Sequence, residues 1–272
     1  MQPLVACGMY AFNPQLKACW KELLENLPQH IPGAEQQPRN AQLGQCRISF
    51  QCDDSVYRND ALLLGHTCGY PYIKKWRNSH RPVVVPVFDI DGCSDINYCS
   101  WLISRREDCR TTLEDYRNSK AVINNSDSNS GMNAFRHTLR DLHQDGRFFS
   151  EVIVSGSHLD SMRCVARGDS DLAAIDAVTW HHFLAQEPET VAALKVIDST
   201  VASPALPFIQ HQDASHSRES MAFALNSALE AAPSLTRETL RLRSFQLVTD
   251  ADYEITSQLE TDAIQSGYPA LA

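Results

Sequence analysis

Two hydroxyls, an amide and a glycine stand together at Ser128-Asn129-Ser130-Gly131, directly ahead of a stretch with helical period. Within residues 132–142, Met132, Phe135, Leu139 and Leu142 recur at i, i+3, i+7 and i+10, while Arg136, Arg140 and Asp141 face away. A helix start carries orphan backbone N–H groups and the positive end of the dipole, so hydroxyls placed there suit an oxyanion. The same residue types cap ordinary helices, and the segment by itself fits both roles. Residues 151–176 repeat the arrangement: strand, Ser155-Gly156-Ser157-His158, helix, Gly168, strand, Asp176. A second helix start, bearing a hydroxyl and an imidazole, then faces the first across one sheet. His158 also fits a capping or surface histidine. Asp176, closing the apolar run Leu172-Ala173-Ala174-Ile175, also fits a cap for the next helix.

Other chemistries lack their residues. No Gly-x-Ser-x-Gly elbow occurs, and Ser157 and His158 are adjacent in sequence, a poor geometry for a nucleophile and its base. His66, Cys68, His158, His181, His182, His211 and His216 show no metal-ligand spacing, so no metal is expected. Neither a Gly-x-Gly-x-x-Gly turn nor a P-loop is present, and no cofactor is expected. Nine cysteines without a C-x-x-C pair read as reduced thiols. With a net charge of −9 and no basic cluster larger than Lys74-Lys75 or Arg105-Arg106, the chain has no nucleic-acid footprint. An anion must therefore be held locally, by neutral donors and helix ends, against the overall field.

The elements that must position these residues alternate. Residues 3–9 read as a strand, 14–27 as a helix with Leu16, Trp20, Leu23, Leu24 and Leu27 on one face, and 28–59 as a polar excursion with a strand at 45–51. A buried strand over 61–65 runs into His66-Thr67-Cys68-Gly69-Tyr70-Pro71, and residues 83–88 form a strand interrupted by Pro86. From 98 to 200 strands and helices alternate, which implies mainly parallel sheets with helices on both faces. Residues 204–210 give a further strand, and 217–231, 236–240 and 251–264 give helices. The fold class is α/β in two lobes, with 1–88 and 201–272 as a discontinuous lobe I, 89–200 as lobe II, and two hinge crossings beside a cleft. No signal-like start or apolar run of membrane-spanning length occurs in the sequence as written.

In this order the motifs resemble those of the phosphate, phosphite and phosphonate substrate-binding proteins of ABC transporters. The matching segments are Tyr98-Cys99-Ser100, Ser128-Asn129-Ser130-Gly131, Ser155-Gly156-Ser157-His158 with Ser161, residues 168–176, Thr200 with Leu206-Pro207, and Gly267-Tyr268-Pro269. Asn129 stands where the family has Thr, and the segment 66–72 is also divergent, which marks a separate subgroup. The resemblance implies a type II periplasmic-binding-protein fold that clamps a small oxyanion in the interlobe cleft, with no chemical step. It further implies anion contacts from Ser128, Asn129, Ser130 and His158, one from Tyr98, and an acidic position at Asp176 facing a ligand amine. Tyr10 and Tyr70 are wall candidates placed by their strand ends. The implied partners are a small anionic ligand and an ABC permease, for a monomer that does not insert in a membrane. Its compartment would be periplasmic if a signal peptide has been removed, and cytoplasmic if the chain is complete. The alternative is an enzyme or sensor on the same fold, acting on a small phosphorylated or heterocyclic ligand; a pyrimidine synthase provides the analogy.

Overall fold

The computed structural model describes residues 2–33 and 44–272, so residues 34–43 of the polar excursion lie outside it. Its strands are β1 (Leu4–Ala6), β2 (Arg47–Ser49), β3 (Leu62–His66), β4 (His80–Phe88), β5 (Cys93–Ser94), β6 (Asn97–Tyr98), β7 (Ser100–Arg105), β8 (Lys120–Ile123), β9 (Glu151–Val154), β10 (Leu172–Asp176), β11 (Leu194–Ser199), β12 (Ser203–Pro204), β13 (Phe208–His211) and β14 (Leu242–Leu247). The chain forms two compact units. The first holds residues up to Asp89, Ser94–Ile96 and Ala205–Asp252; the second holds Ile90–Cys93, Asn97–Pro204 and Tyr253–Ala272.

In the first unit the sheet order is β14-β4-β13-β3-β1-β2. β1 to β4 run one way, and β13 and β14 run against them. Its core gathers Trp20 of the Pro14–Leu24 helix, Val5, Leu64 and Phe208, with the His66 ring stacked on Phe208 at 4.4 Å between centroids. β4 is not broken by its prolines. β13 pairs with its first half and β14 with its second, each ladder carrying a register shift, so Pro82 and Pro86 each meet a partner strand on one side. β14 itself is invisible to an alternation test, since only Leu242 and Phe245 are buried in it, three residues apart across its bulge.

The second unit has the order β11-β7-β10-β8-β9. β8, β9, β10 and β11 share one direction, and β7 alone opposes them. Mainly parallel sheets were expected; most strands of each sheet share one direction, but the sheets are mixed, with two parallel and three antiparallel ladders in the first and two of each in the second. Of the opposing strands, β7 and β13 follow short strands with no helix between, whereas β14 follows β13 through the helices Arg218–Ala231 and Ser234–Leu240 and runs parallel to it, both opposing β4. Ile103, Val122, Met162, Val165, Ala173, Ile175, Phe183 and Leu194 form the core of this unit.

The expected boundaries need one correction. Residues 253–272 were assigned with lobe I, yet they belong to the second unit, so besides the two crossings predicted the chain changes unit at Asp252/Tyr253 and around the short excursion Ser94–Ile96. Polar groups hold residues 253–272 there. Asn133 Nδ2 donates to the Thr256 carbonyl at 2.9 Å, Arg136 Nη1 to the Pro269 carbonyl at 2.7 Å, and the His143 ring nitrogen lies 2.8 Å from the Ser266 carbonyl.

Candidate functional site

Because β8, β9 and β10 are parallel, their carboxyl ends share one edge of the sheet, and the loops leaving them begin together. β7 runs the other way, so its first residue, Ser100, sits opposite Asp176, the last of β10. Tyr98, Ser100, Asn124, Ser155 and Asp176 thereby collect at that edge, although the sequence spreads them over almost eighty residues.

The loop after β8 turns into a helix through one wide turn, Asn129–Asn133, that continues as Ala134–Leu139. Ser128 is its cap: the hydroxyl accepts from the Gly131 N–H at 3.0 Å and lies 3.4 Å from Ser130 Oγ. The helix ends earlier than its apolar spacing predicts, because Leu139 is buried and Leu142 only half-buried. The loop after β9 leads to the His158–Arg167 helix, capped by Ser157 and ended by Gly168 at φ +84°. Ser155 Oγ, 2.8 Å from Ser161 Oγ, ties that loop to the first turn of its own helix.

These two helix starts converge. Ser130 Oγ lies 2.9 Å from His158 Nε2. Burial pushes His158 down to about 4, opposed in part by the Ala174 carbonyl facing its ring, so the imidazole is neutral at pH 7. Its Nδ1 is buried without a partner at hydrogen-bond geometry. Gly131 fits because it has no side chain: a Cβ there would stand 2.0 Å from Asn124 Oδ1 and 3.1 Å from His158 Cε1.

Asn129 is buried beside them and donates from Nδ2 to Ser203 Oγ at 2.8 Å and to the Tyr98 hydroxyl at 3.4 Å. Ser128, Ser130 and His158 therefore form one hydrogen-bonded set, and Asn129, Tyr98 and Ser203 a second. Asp176 serves as the cap of the Ala177–Gln186 helix, accepting from the Thr179 N–H at 2.8 Å. Tyr10 and Tyr70 belong to the first unit and are buried there, Tyr10 edge-on to His66 and Phe88, and Tyr70 beneath Lys74. Sequence reasoning missed Ser203, Asn133 and Asn124. Asn129 and Asn133 are spaced i, i+4 on one helix face, which was a readable signal; nothing in the sequence announces Ser203.

Residues 55–253 match the family model described as ABC transporter, phosphonate, periplasmic substrate-binding protein. The chain belongs to this family. Among solved structures, a binding protein component of an ABC phosphonate transporter from Pseudomonas aeruginosa is 17% identical, with a TM-score of 0.73 over 98% of this chain and 88% of that one. PhnD1 from Prochlorococcus marinus, in complex with methylphosphonate, is 13% identical, with a TM-score of 0.72 over 97% and 98%. A Xanthomonas citri protein bound to ATP is 14% identical, with a TM-score of 0.67 over 97% and 96%. These likenesses establish the two-lobed type II periplasmic-binding-protein fold for this phosphonate-family chain. No curated protein matches it in sequence. Among the described residues, no helix is long and apolar enough to cross a membrane, and no cluster of His, Cys, Asp or Glu is placed to hold a metal ion.

Proposed function

We propose that this member of the phosphonate substrate-binding family holds a small phosphonate-like oxyanion at the converging helix starts of its second unit, and delivers it to an ABC permease from the periplasmic side. The observation that carries this reading is the contact between Ser130 and His158, beside the Ser128 cap, in a chain whose family model names phosphonate transport. Two helix amino ends, three hydroxyls and a neutral imidazole supply donors without a net charge, which suits an anion in a chain of charge −9.

The proposed contacts are Ser128, Asn129, Ser130, His158 and Tyr98, with Asp176 at the same edge facing an amine-bearing ligand. The proposal extends to Tyr10 and Tyr70 of the first unit, tested separately by Tyr→Phe substitutions.

The reading includes no chemical step. A serine nucleophile needs a base that a third group orients, and what faces the His158 ring is a backbone carbonyl, that of Ala174, not a carboxylate. Titration calorimetry of the purified protein with methylphosphonate, inorganic phosphate, phosphite and sulfate is the test. Saturable binding of at least one phosphorus oxyanion, weakened roughly tenfold by Ser130→Ala and by His158→Ala, is expected. Unchanged affinity in both variants overturns the site, and release of a new product during incubation overturns the absence of chemistry.

A further inference from the structure

We propose that Arg136, a residue that does not itself reach the Ser203 and Tyr98 hydroxyls, fixes the direction in which they donate, acting through Asn133 and Asn129. The inference rests on the reading that this part of the chain receives an oxyanion, and it adds a positioning residue to that site.

A guanidinium has donors only, whereas an amide side chain can present either its oxygen or its nitrogen to a neighbour. Arg136 Nη2 donates to Asn133 Oδ1 at 2.8 Å, so that atom is held as oxygen. Asn133 Nδ2 then faces two acceptors, the Thr256 carbonyl at 2.9 Å and Asn129 Oδ1 at 3.2 Å. The carbonyl cannot donate, so it enforces the same orientation independently. With its oxygen engaged by Asn133, Asn129 must turn Nδ2 to Ser203 Oγ at 2.8 Å and to the Tyr98 hydroxyl at 3.4 Å. Both hydroxyls are thereby acceptors toward Asn129, and their own protons are left to point elsewhere. A hydroxyl that already accepts is also polarised into a better donor.

Burial makes this chain costly to break and hard for water to replace. Arg136, Asn133, Asn129, Ser203 and Tyr98 are all buried. Arg136 is held by neutral acceptors, Asn133 Oδ1 and, at 2.7 Å, the Pro269 carbonyl, and among the described residues no carboxylate pairs with it. Here neutral partners hold it, and its donor-only character sets the sense of the bonds that run from Asn133 through Asn129 to Ser203 and Tyr98. Pro269 and Thr256 come from the segment 253–272, which explains why that segment packs on the second unit.

Asn133→Asp separates this role from bracing. The new carboxylate forms an ion pair with Arg136 that offsets the lost bond to Thr256, so the variant folds, as circular dichroism would confirm. It cannot donate to Asn129, whose amide then turns and presents Oδ1 to Ser203 and Tyr98, drawing their protons inward. Affinity for methylphosphonate and inorganic phosphate should fall roughly tenfold or more and stay low as salt is raised, because lost donors, unlike a lost field, are not screened. Ser203→Ala should weaken the same ligands several-fold. Wild-type affinity in either variant overturns the inference. If the wild type binds neither probe, the functional reading fails on its own, and side-chain amide NMR of the ligand-free protein still decides the relay. Contacts from the Asn129 amide protons should lie to Ser203 and Tyr98 in the wild type and move to residue 133 in Asn133→Asp; no such move overturns it.

Discussion

Ser130 Oγ and His158 Nε2, 2.9 Å apart, join the first turns of two helices that follow neighbouring parallel strands, β8 and β9. Neither residue is placed by its own loop alone. The strands align the loops, Ser128 and Ser157 cap the helices, and the contact closes between them. Since each group is oriented by the other, their contributions to anion binding should not add. In a double-mutant cycle, Ser130→Ala with His158→Ala should lose less affinity than the sum of the two single losses, by roughly 1 kcal/mol. Strict additivity in calorimetry would mean that the two residues act on the ligand independently.

Gly131 meets the same two elements from beneath. An added Cβ would lie 2.0 Å from Asn124 Oδ1, a distance no real contact sustains, so Gly131→Ala must displace the Asn124 amide. We expect a stability loss of roughly 1–3 kcal/mol by denaturant unfolding. Asn124→Ala removes the obstructing oxygen, so adding Gly131→Ala to that background should cost clearly less. Equal costs in both backgrounds would place the strain elsewhere, for example at the His158 ring.

The helix starts were legible because capping residues and apolar spacing lie next to each other in sequence. Ser128, Ser157 and Gly168 announce themselves as caps and as a stop, and β8 and β10 as short buried runs. What pairs across the sheet is not local, so Ser203 beside Asn129 and the return of residues 253–272 to the second unit left no signal. The final helix is amphipathic in either setting, and its apolar face alone does not say which unit it covers. What assigns it is polar: Asn133, Arg136 and His143 each reach a backbone carbonyl of that segment. β14 failed for another reason, since its bulge destroys the two-residue period by which strands are recognised.

His66 and His158 give the protein an acid-sensitive limb. Burial pushes His66 down to about 3 and His158 to about 4 from an ordinary value of 6.5. Below pH 6.5 the unfolded chain takes up protons that the folded chain refuses, so stability falls as pH drops from 6.5 toward 4. Each histidine steepens the fall by up to about 1.4 kcal/mol per pH unit. His158→Asn and His66→Phe should each flatten the limb in chemical denaturation between pH 4.5 and 6.5, a window set by those shifts. A slope unchanged in both variants would show that neither imidazole is kept neutral by the fold.

Asp171 controls a lower pH range by the opposite sign. One carboxylate gathers three parts of the second unit: Oδ1 accepts from Arg105 Nη2 at 3.1 Å and Arg110 Nη2 at 2.8 Å, and Oδ2 from the Lys120 N–H at 2.9 Å. Burial alone would raise its pKa, but the Lys120 N–H and the two guanidinium groups outweigh it and hold the carboxyl below its ordinary value of 3.8. A depressed carboxylate contributes stability that is complete above the unfolded value and is lost as pH falls through the folded one. Asp171→Asn removes the charge and turns an amide N–H toward cationic donors, so at pH 7 it should cost roughly 2 kcal/mol. The difference between variant and wild type should then shrink below pH 4, where the unfolded carboxyl begins to protonate and the native one follows at lower pH. His158 acts above that point and His66 down to about 3, but both are common to variant and wild type, so the difference between the two isolates the carboxylate. A deficit that persists unchanged to pH 2 would mean that shape, and not the charge of Asp171, holds these three segments together.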